Sequence, residues 1–425
     1  MNERFLSRLA AEVRELEANG AAKGMERCIG SLLPATEKAG PRYRLAGFGG
    51  RRFLRMNSNG YLGLSRHPAV IAAAERAVRR YGMGPEAVRF ISGTFAPHAA
   101  LESRLAAFHD RPAAVAFNAA YTTMLGVLPS LAHDRTLILS DALNHNCIIN
   151  AIRLARAGRA GVVPHGDAAA LAARLRAAGR RRAGRPERVL VVTDGVFSMR
   201  GNHAPLDTIR EIIDGFEPVF SEGVSLIVDD SHGIGAYGPT GRGTEEVCET
   251  RADVLVGTLG KAFGVNGGYV VGEAPLIRYL REKAPPYIYS NPIGPGEAAA
   301  AEAAVRLVSG AWGRKRVRRV NELAARLRAR LGDLGWETVP AEHPIVALLV
   351  RDPGRMRRLV GRLFEGGILA TGLRYPVVPH GDETIRFQVS AEHSPQDIDR
   401  VAEVLGGSRT ARGRGGRSGT DRATG

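Results

Sequence analysis

Residues 113–272 repeat one pattern: a short, almost wholly apolar run followed by a stretch with helical spacing. AAVAF (113–117), TLIL (136–139), VLVVT (189–193), SLIVD (225–229), VLVGT (254–258) and YVVG (269–272) are the six runs. Runs this short, with no polar alternation, need cover on both faces, which helices packed on a parallel sheet provide. The expected fold class is α/β, a mostly parallel, doubly wound sheet.

The flanking segments differ in texture. Residues 1–50 read as a helix over 5–18 and an irregular arm rich in glycine and arginine. Pro68 suits the first turn of one helix, and Gly93 and Pro97 break the pattern before a second. After Pro292 come two helical stretches, the apolar runs PIVALLV and TIRFQVS, and a last helix PQDIDRVAEVLG. The expected organisation is an N-terminal helix and arm (1–50), a large domain (51–292) and a smaller α+β domain (293–406). Residues 407–425 have the composition of a disordered basic tail.

Composition excludes several classes of function. At 425 residues, 44% apolar and 24% charged, the chain can bury a large core. It has no apolar run of about 18 residues that would span a membrane, and its first residues lack the pattern of a signal peptide. Cys28, Cys147 and Cys248 are odd in number and widely spaced, against both a disulfide framework and a zinc site. A reducing cytoplasm is the expected compartment. The net charge of +16 gathers in residues 174–188, 314–319 and the tail beyond Gly407. No nucleic-acid module accompanies these clusters, so they read as solvated faces and no nucleic-acid partner is expected.

Functional groups collect where the runs end. VLVVT leads into Asp194 and Ser198, SLIVD into Asp229 and His232, TLIL into Asp141 and His145, and VLVGT into Lys261. In an open parallel sheet, ligands bind beyond the carboxyl ends of the strands. Lys261 is one of only five lysines in a chain whose positive charge is otherwise arginine. A lysine kept there fits nucleophilic or proton-moving work, because a guanidinium does not deprotonate. A phosphate-binding Walker loop fails, since Leu255 stands at its first glycine and Ala262 at its hydroxyl residue. No Rossmann fingerprint follows the first strand, and no metal-ligand pattern is present. A lysine, a strand-end carboxylate and nearby imidazole and hydroxyl groups do suit pyridoxal 5'-phosphate (PLP), whose ring nitrogen takes an acidic partner. Asp229 is placed for that ion pair, and Thr258 for the phosphate.

At these residues the chain resembles the α-oxoamine synthases, PLP enzymes of the fold-type I aminotransferase group, nearest to the branch that joins glycine to acetyl-coenzyme A. The motifs are NGYLGL, VRFISGT, LSDALNHNCII, TDGVFSM, VDDSHGIGAYGPTGRG, GTLGKAFG, PYIYSNP and the segment running to IRFQVSAEHS. They cover nearly everything from the first helix to about Leu405. The resemblance implies that Lys261 is the Schiff-base lysine that also moves the α-proton. It implies Asp229 as partner of the ring nitrogen, His232 and Ser198 as contacts to the phenolic oxygen, and His145 as the imidazole stacked on the ring. Thr258 and the backbone of Ala120 and Tyr121 would hold the phosphate, with Ser290 supplied by the other subunit of a homodimer. Asn59 and Arg386 would hold the amino acid's carboxylate. The implied reaction condenses a small amino acid, glycine foremost, with an acyl thioester of coenzyme A or a carrier protein. An aminotransferase or lyase on the same fold is the alternative.

Departures from the family pattern are Gly60 after Asn59, Arg200 after TDGVFSM, Asn118 to Tyr121 at the phosphate cup, and Val265-Asn266 before the glycines.

Overall fold

The computed structural model describes residues 2–410 apart from 20, 23, 25, 182, 376 and 377. Its centre is a seven-stranded sheet: β1 Ala113–Phe117, β2 Thr136–Asp141, β3 Arg159–Val163, β4 Arg188–Asp194, β5 Val224–Asp229, β6 Val254–Thr258 and β7 Gly268–Gly272. The strand order is β1-β7-β6-β5-β4-β2-β3. Six of these strands are the six apolar runs. The seventh, β3, was invisible to hydropathy: it is an edge strand, RAGVV, with most of its side chains facing solvent.

Alternate residues of β4 enter different cores, Val189 and Val191 on one face, Leu190 and Val192 on the other. This two-sided burial is why the run shows no alternation. β7 runs antiparallel to both of its neighbours. The cause is local: after β6 the chain turns in a tight loop, with Leu259 N donating to Gly267 O at 2.9 Å and Val265 N to Leu259 O at 3.0 Å. Gly264, at φ +70, makes the turn and lies so close to Ser65 that a Cβ would clash with its backbone. Lys261 sits on this loop.

A second sheet combines β8 Ile345–Leu349, β9 Thr371–Leu373 and β10 Thr384–Gln388, antiparallel in the order β8-β10-β9. The helix Ala311–Asp333 packs beside it and begins earlier than the periodicity predicts, taking in the run RKRVRR. That run is not a solvated face throughout. Arg316 donates to Leu62 O at 2.8 Å, and Arg319 to Ala391 O at 2.9 Å and His393 O at 3.0 Å. Two of its arginines therefore tie the NGYLGL and AEHS loops to the helix.

The N-terminal helix Glu3–Ala18 buries none of its residues. Where the sequence reads as an irregular arm, Ile29–Leu33 pairs antiparallel with Arg42–Leu45. The first of these strands is mostly exposed, so hydropathy carried no signal for it. The last helix, Pro395–Thr410, runs past Gly407, and the rest of the basic tail lies outside the described residues.

One buried carboxylate joins three elements. Glu102 takes Ala116 N at 3.0 Å and ion-pairs with Arg89 at 3.1 Å and Arg281 at 2.7 Å. Removing it strands two guanidiniums and an edge-strand N–H. Glu102→Ala is expected to cost about 3–5 kcal/mol, read as a lowered midpoint in urea; an unchanged midpoint would refute this role.

Candidate active site

Parallel register brings the strand ends level. Asp194 at the end of β4 is paired with Asp229 at the end of β5, and Asp229 with Val256 of β6. The loops beyond surround a cavity of about 230 Å³. Eight residues singled out from the sequence line it: Lys261, Asp229, His232, His145, Ser198, Thr258, Ala120 and Tyr121. Asp194, Cys147, Val196 and Ser231 complete the wall.

The carboxylates are buried and close enough to repel. Asp229 accepts Ser231 N at 3.1 Å and the Cys147 thiol at 3.4 Å. Asp194 accepts His145 N at 3.1 Å, while its own N–H donates to Asn144 Oδ1 at 2.8 Å. Burial pushes the Asp194 carboxyl well above its usual range, and the charge of Asp229 adds to that. Burial also lowers the Lys261 amine, against the opposing pull of Asp229 and Asp194. A lysine lowered in this way releases and accepts a proton more readily than one in water.

The two histidines differ in support. His145 caps the helix Asn146–Leu154, its Nδ1 accepting from Cys147 N at 3.2 Å. Burial lowers its pKa, against the charge of Asp229. His232 has Nδ1 2.8 Å from the Tyr61 hydroxyl, and its carbonyl accepts from His343 Nε2 at 2.9 Å. Burial takes its pKa well below the usual value, helped by the charge of Lys261.

The helix Ala120–Leu131 starts at the cavity, and its N-cap, Ala119, offers no side-chain hydrogen bond. Its first N–H groups are free for an anion. Thr258 Oγ1 lines the same cavity and takes Gly260 N at 3.1 Å. Gly268 keeps the approach open: a Cβ there would lie 2.3 Å from Ala120 N. These donors, with Lys261 and Asp229 across the cavity, fit a phosphate-bearing ring such as PLP.

Arg386 projects from β10 and donates to Ser198 O at 2.7 Å. Its Nε is buried without a partner, and among the described residues no carboxylate pairs with it. A half-buried guanidinium with no carboxylate beside it is a ready seat for a substrate carboxylate. Asn59 lies in the same quarter, accepting from Gln388 two residues along the strand from Arg386.

Ser290 is the exception among the expected residues. Within this one chain it accepts from Asn118 at 2.9 Å and is absent from the cavity wall.

Four neighbours were not singled out for a role. Cys147, read only through cysteine spacing, is brought in by the turn of helix after His145. Asp194 was noted as a strand end. Tyr61 and Gln388 lay inside quoted motifs, and nothing in their spacing marks them; they meet His232 and Asn59 only through the tertiary fold.

A family model described as aminotransferase class I and II matches residues 51–405. An 8-amino-7-oxononanoate synthase from Geobacter sulfurreducens is 38% identical, covering 93% of this chain and 96% of the relative. The mitochondrial 2-amino-3-ketobutyrate coenzyme A ligase of Homo sapiens is 38% identical, covering 87% and 85%. Among solved structures, a high-resolution structure of SPT with PLP aligns with a TM-score of 0.84 at 26% identity, covering 97% of this chain and 99% of that one.

Borohydride reduction of the PLP-loaded protein is expected to leave the cofactor on the peptide containing Lys261, and Lys261→Ala to lose both label and yellow colour. A variant that keeps the label on another peptide would sink the assignment.

Proposed function

The chain belongs to the aminotransferase class I and II family and, within it, to the α-oxoamine synthases, and we propose that it condenses a small amino acid, glycine foremost, with an acyl thioester. It is a PLP-dependent acyl-transferring enzyme. The observation that carries the reading is the single cavity in which a lysine of lowered pKa faces Asp229 and His232, with the unpaired Arg386 held against Ser198.

Bound PLP supplies an electron-withdrawing ring that stabilises negative charge at the amino acid's α-carbon. The protein's part is positioning and proton movement. Arg386 and Asn59 grip the carboxylate, Arg386 through its planar fork. The Lys261 amine takes the α-proton and is suited to it by its lowered pKa. Asp229 keeps the ring nitrogen protonated by ion pairing, and Cys147 and Ser231 N hold that carboxylate in place. Burial and the neighbouring carboxylates push the Cys147 thiol up, so it stays protonated. Asp194 tethers the His145 backbone at the cavity wall, from where its imidazole would cover the ring. The free N–H groups of Ala120 and Tyr121, with Thr258, take the phosphate. Condensation would then form the bond from the α-carbon to the thioester carbonyl carbon as the carbon–sulfur bond breaks, the departing thiolate taking a proton from the Lys261 ammonium.

A second cavity, about 460 Å³, adjoins the first, its wall including Phe197 and Met199 on either side of Ser198, and Thr384 on the strand of Arg386. We assign it to the approach of the thioester. Arg200, the departure after TDGVFSM, ion-pairs with Asp382 at 3.1 Å on its wall. That contact gives the substitution a partner.

We further assign a homodimer with shared active sites. Phe90 (68% exposed) and Ile91 (69%) in the VRFISGT motif, Met83 (77%) shortly before it and Tyr289 (79%) beside Ser290 are large apolar side chains left in solvent. A partner chain covering them would bring its own Ser290 to the phosphate. No described helix is long and apolar enough to cross a membrane; the cytoplasm is the compartment we assign.

With glycine and a panel of acyl-coenzyme A and acyl carrier protein thioesters, free thiol should appear only when both substrates are present, with a product mass equal to the condensed pair or that pair less carbon dioxide. Pyridoxamine phosphate formed from amino acid alone, without thiol release, would make the protein an aminotransferase and overturn the reading. For the dimer, co-expressed Lys261→Ala and Ser290→Asp chains should recover activity that neither shows alone. Failure of mixed dimers to recover it would remove Ser290 from the partner's site.

A further inference from the structure

We propose that His165 is a positioning residue: through Asn202 and Phe197 it holds the turn 197–202, and so places Ser198 between the cofactor cavity and Arg386. The proposal rests on the assignment of Ser198 to the cofactor's phenolic oxygen and of Arg386 to the amino acid's carboxylate.

The turn follows β4. Its base is a bridge between Val196 and His203, and it closes on itself, with Phe197 N donating to Asn202 O at 2.9 Å and Gly201 N to Phe197 O at 2.8 Å. Its outward hydrogen bonds and ion pairs lead mainly to β10 or the loop before it. Arg386 donates to Ser198 O at 2.7 Å, and Arg200 pairs with Asp382 at 3.1 Å. Gly201, at φ +83, lies against β8, where a Cβ would sit 2.7 Å from Ile345 O. Among the described residues, one side-chain hydrogen bond ties the turn back to the large sheet: Asn202 Nδ2 lies 2.9 Å from His165 Nε2. Asn202 Oδ1 is buried without a partner, so no second contact orients this amide.

His165 is itself firmly held. It follows β3, and its Nδ1 lies 3.0 and 3.1 Å from the two oxygens of Asp141, at the end of β2. The same carboxylate takes Leu143 N at 2.8 Å and Gly166 N at 3.0 Å. An ionised carboxylate only accepts, so Nδ1 carries a hydrogen, and Nε2 of the neutral ring is left to accept from the Asn202 amide. The His165 ring also meets the buried Phe197 edge to face, with centroids 4.3 Å apart and planes at 83°. Phe197 and Asn202 are the first and last residues of the turn. One imidazole therefore grips both ends, with Ser198 between them, and joins the loops that follow β2, β3 and β4.

Holoenzyme carrying Asn202→Ala or His165→Phe tests this. The first cuts the tie and leaves His165 on Asp141; the second keeps a ring against Phe197. Glycine is titrated without thioester, following the cofactor's absorbance, and amide exchange of the turn is followed by mass spectrometry. Both variants should weaken glycine about 3- to 10-fold, the scale of one net hydrogen bond. Both should also shift the cofactor's visible band as Ser198 moves, and speed exchange in peptides spanning 197–202. PLP affinity should hold, because Ala120, Tyr121 and Thr258, assigned to the phosphate, lie off the turn. In Asn202→Ala, unchanged exchange, or wild-type glycine affinity with an unshifted band, would overturn the proposal. So would equal losses of glycine and PLP with an unshifted band, the mark of a purely structural role. Arg386→Ala, run alongside, isolates the carboxylate assignment. Wild-type glycine affinity there would sink that assignment, while the band and the exchange still decide whether His165 holds Ser198 in place.

Discussion

Asp194 and Asp229 end neighbouring parallel strands in register, and burial beside the charge of Asp229 pushes the Asp194 carboxyl well above its usual range. The surrounding groups are arranged around that repulsion. Lys261 supplies the nearest positive charge, Cys147 and Ser231 N donate to one carboxylate, and His145 N donates to the other. The price falls on Lys261 as well, because burial in the same cavity lowers its pKa. A cationic ring nitrogen at Asp229, the role proposed for it, would offset that repulsion.

The sheet supplies the alignment and the loops supply the chemistry. Three parallel strand ends deliver the two carboxylates level with each other and Thr258 two residues beyond them. The tight loop after Thr258 does two things at once: it reverses the chain into β7 and holds Lys261 at the cavity. The site is then closed from outside the sheet. β10 lends Arg386 and Gln388, and the NGYLGL loop lends Asn59 and Tyr61. Arginines of the helix Ala311–Asp333 tie down the NGYLGL loop and the AEHS loop that follows β10. Arg386 reaches its place by donating to Ser198 O, so the proposed carboxylate seat and the wall of the cavity share a backbone group.

Much of this was legible in the sequence because two-sided burial leaves an unmistakable trace. Six strands buried on both faces, the edge strand β1 among them, stood out as apolar runs, and the groups following four of those runs marked the working edge. The seventh strand did not, since an edge strand such as RAGVV keeps most of its side chains in water. The exposed hairpin in the N-terminal arm escaped for the same reason. The arginine run 314–319 misled in the opposite sense. A cluster of charge reads as solvent-facing, yet Arg316 and Arg319 spend theirs on backbone carbonyls of distant loops.

The sequence by itself determined the sheet, its working edge, the lysine and the kind of cofactor they suit, because hydrophobic burial and strand-end placement are local properties written residue by residue. Only the tertiary structure decided how those groups are held. Tyr61 meets His232 across 171 positions and Gln388 meets Asn59 across 329. Hydrogen bonds between residues so far apart depend on how the two sheets pack, and no periodicity in the chain records them.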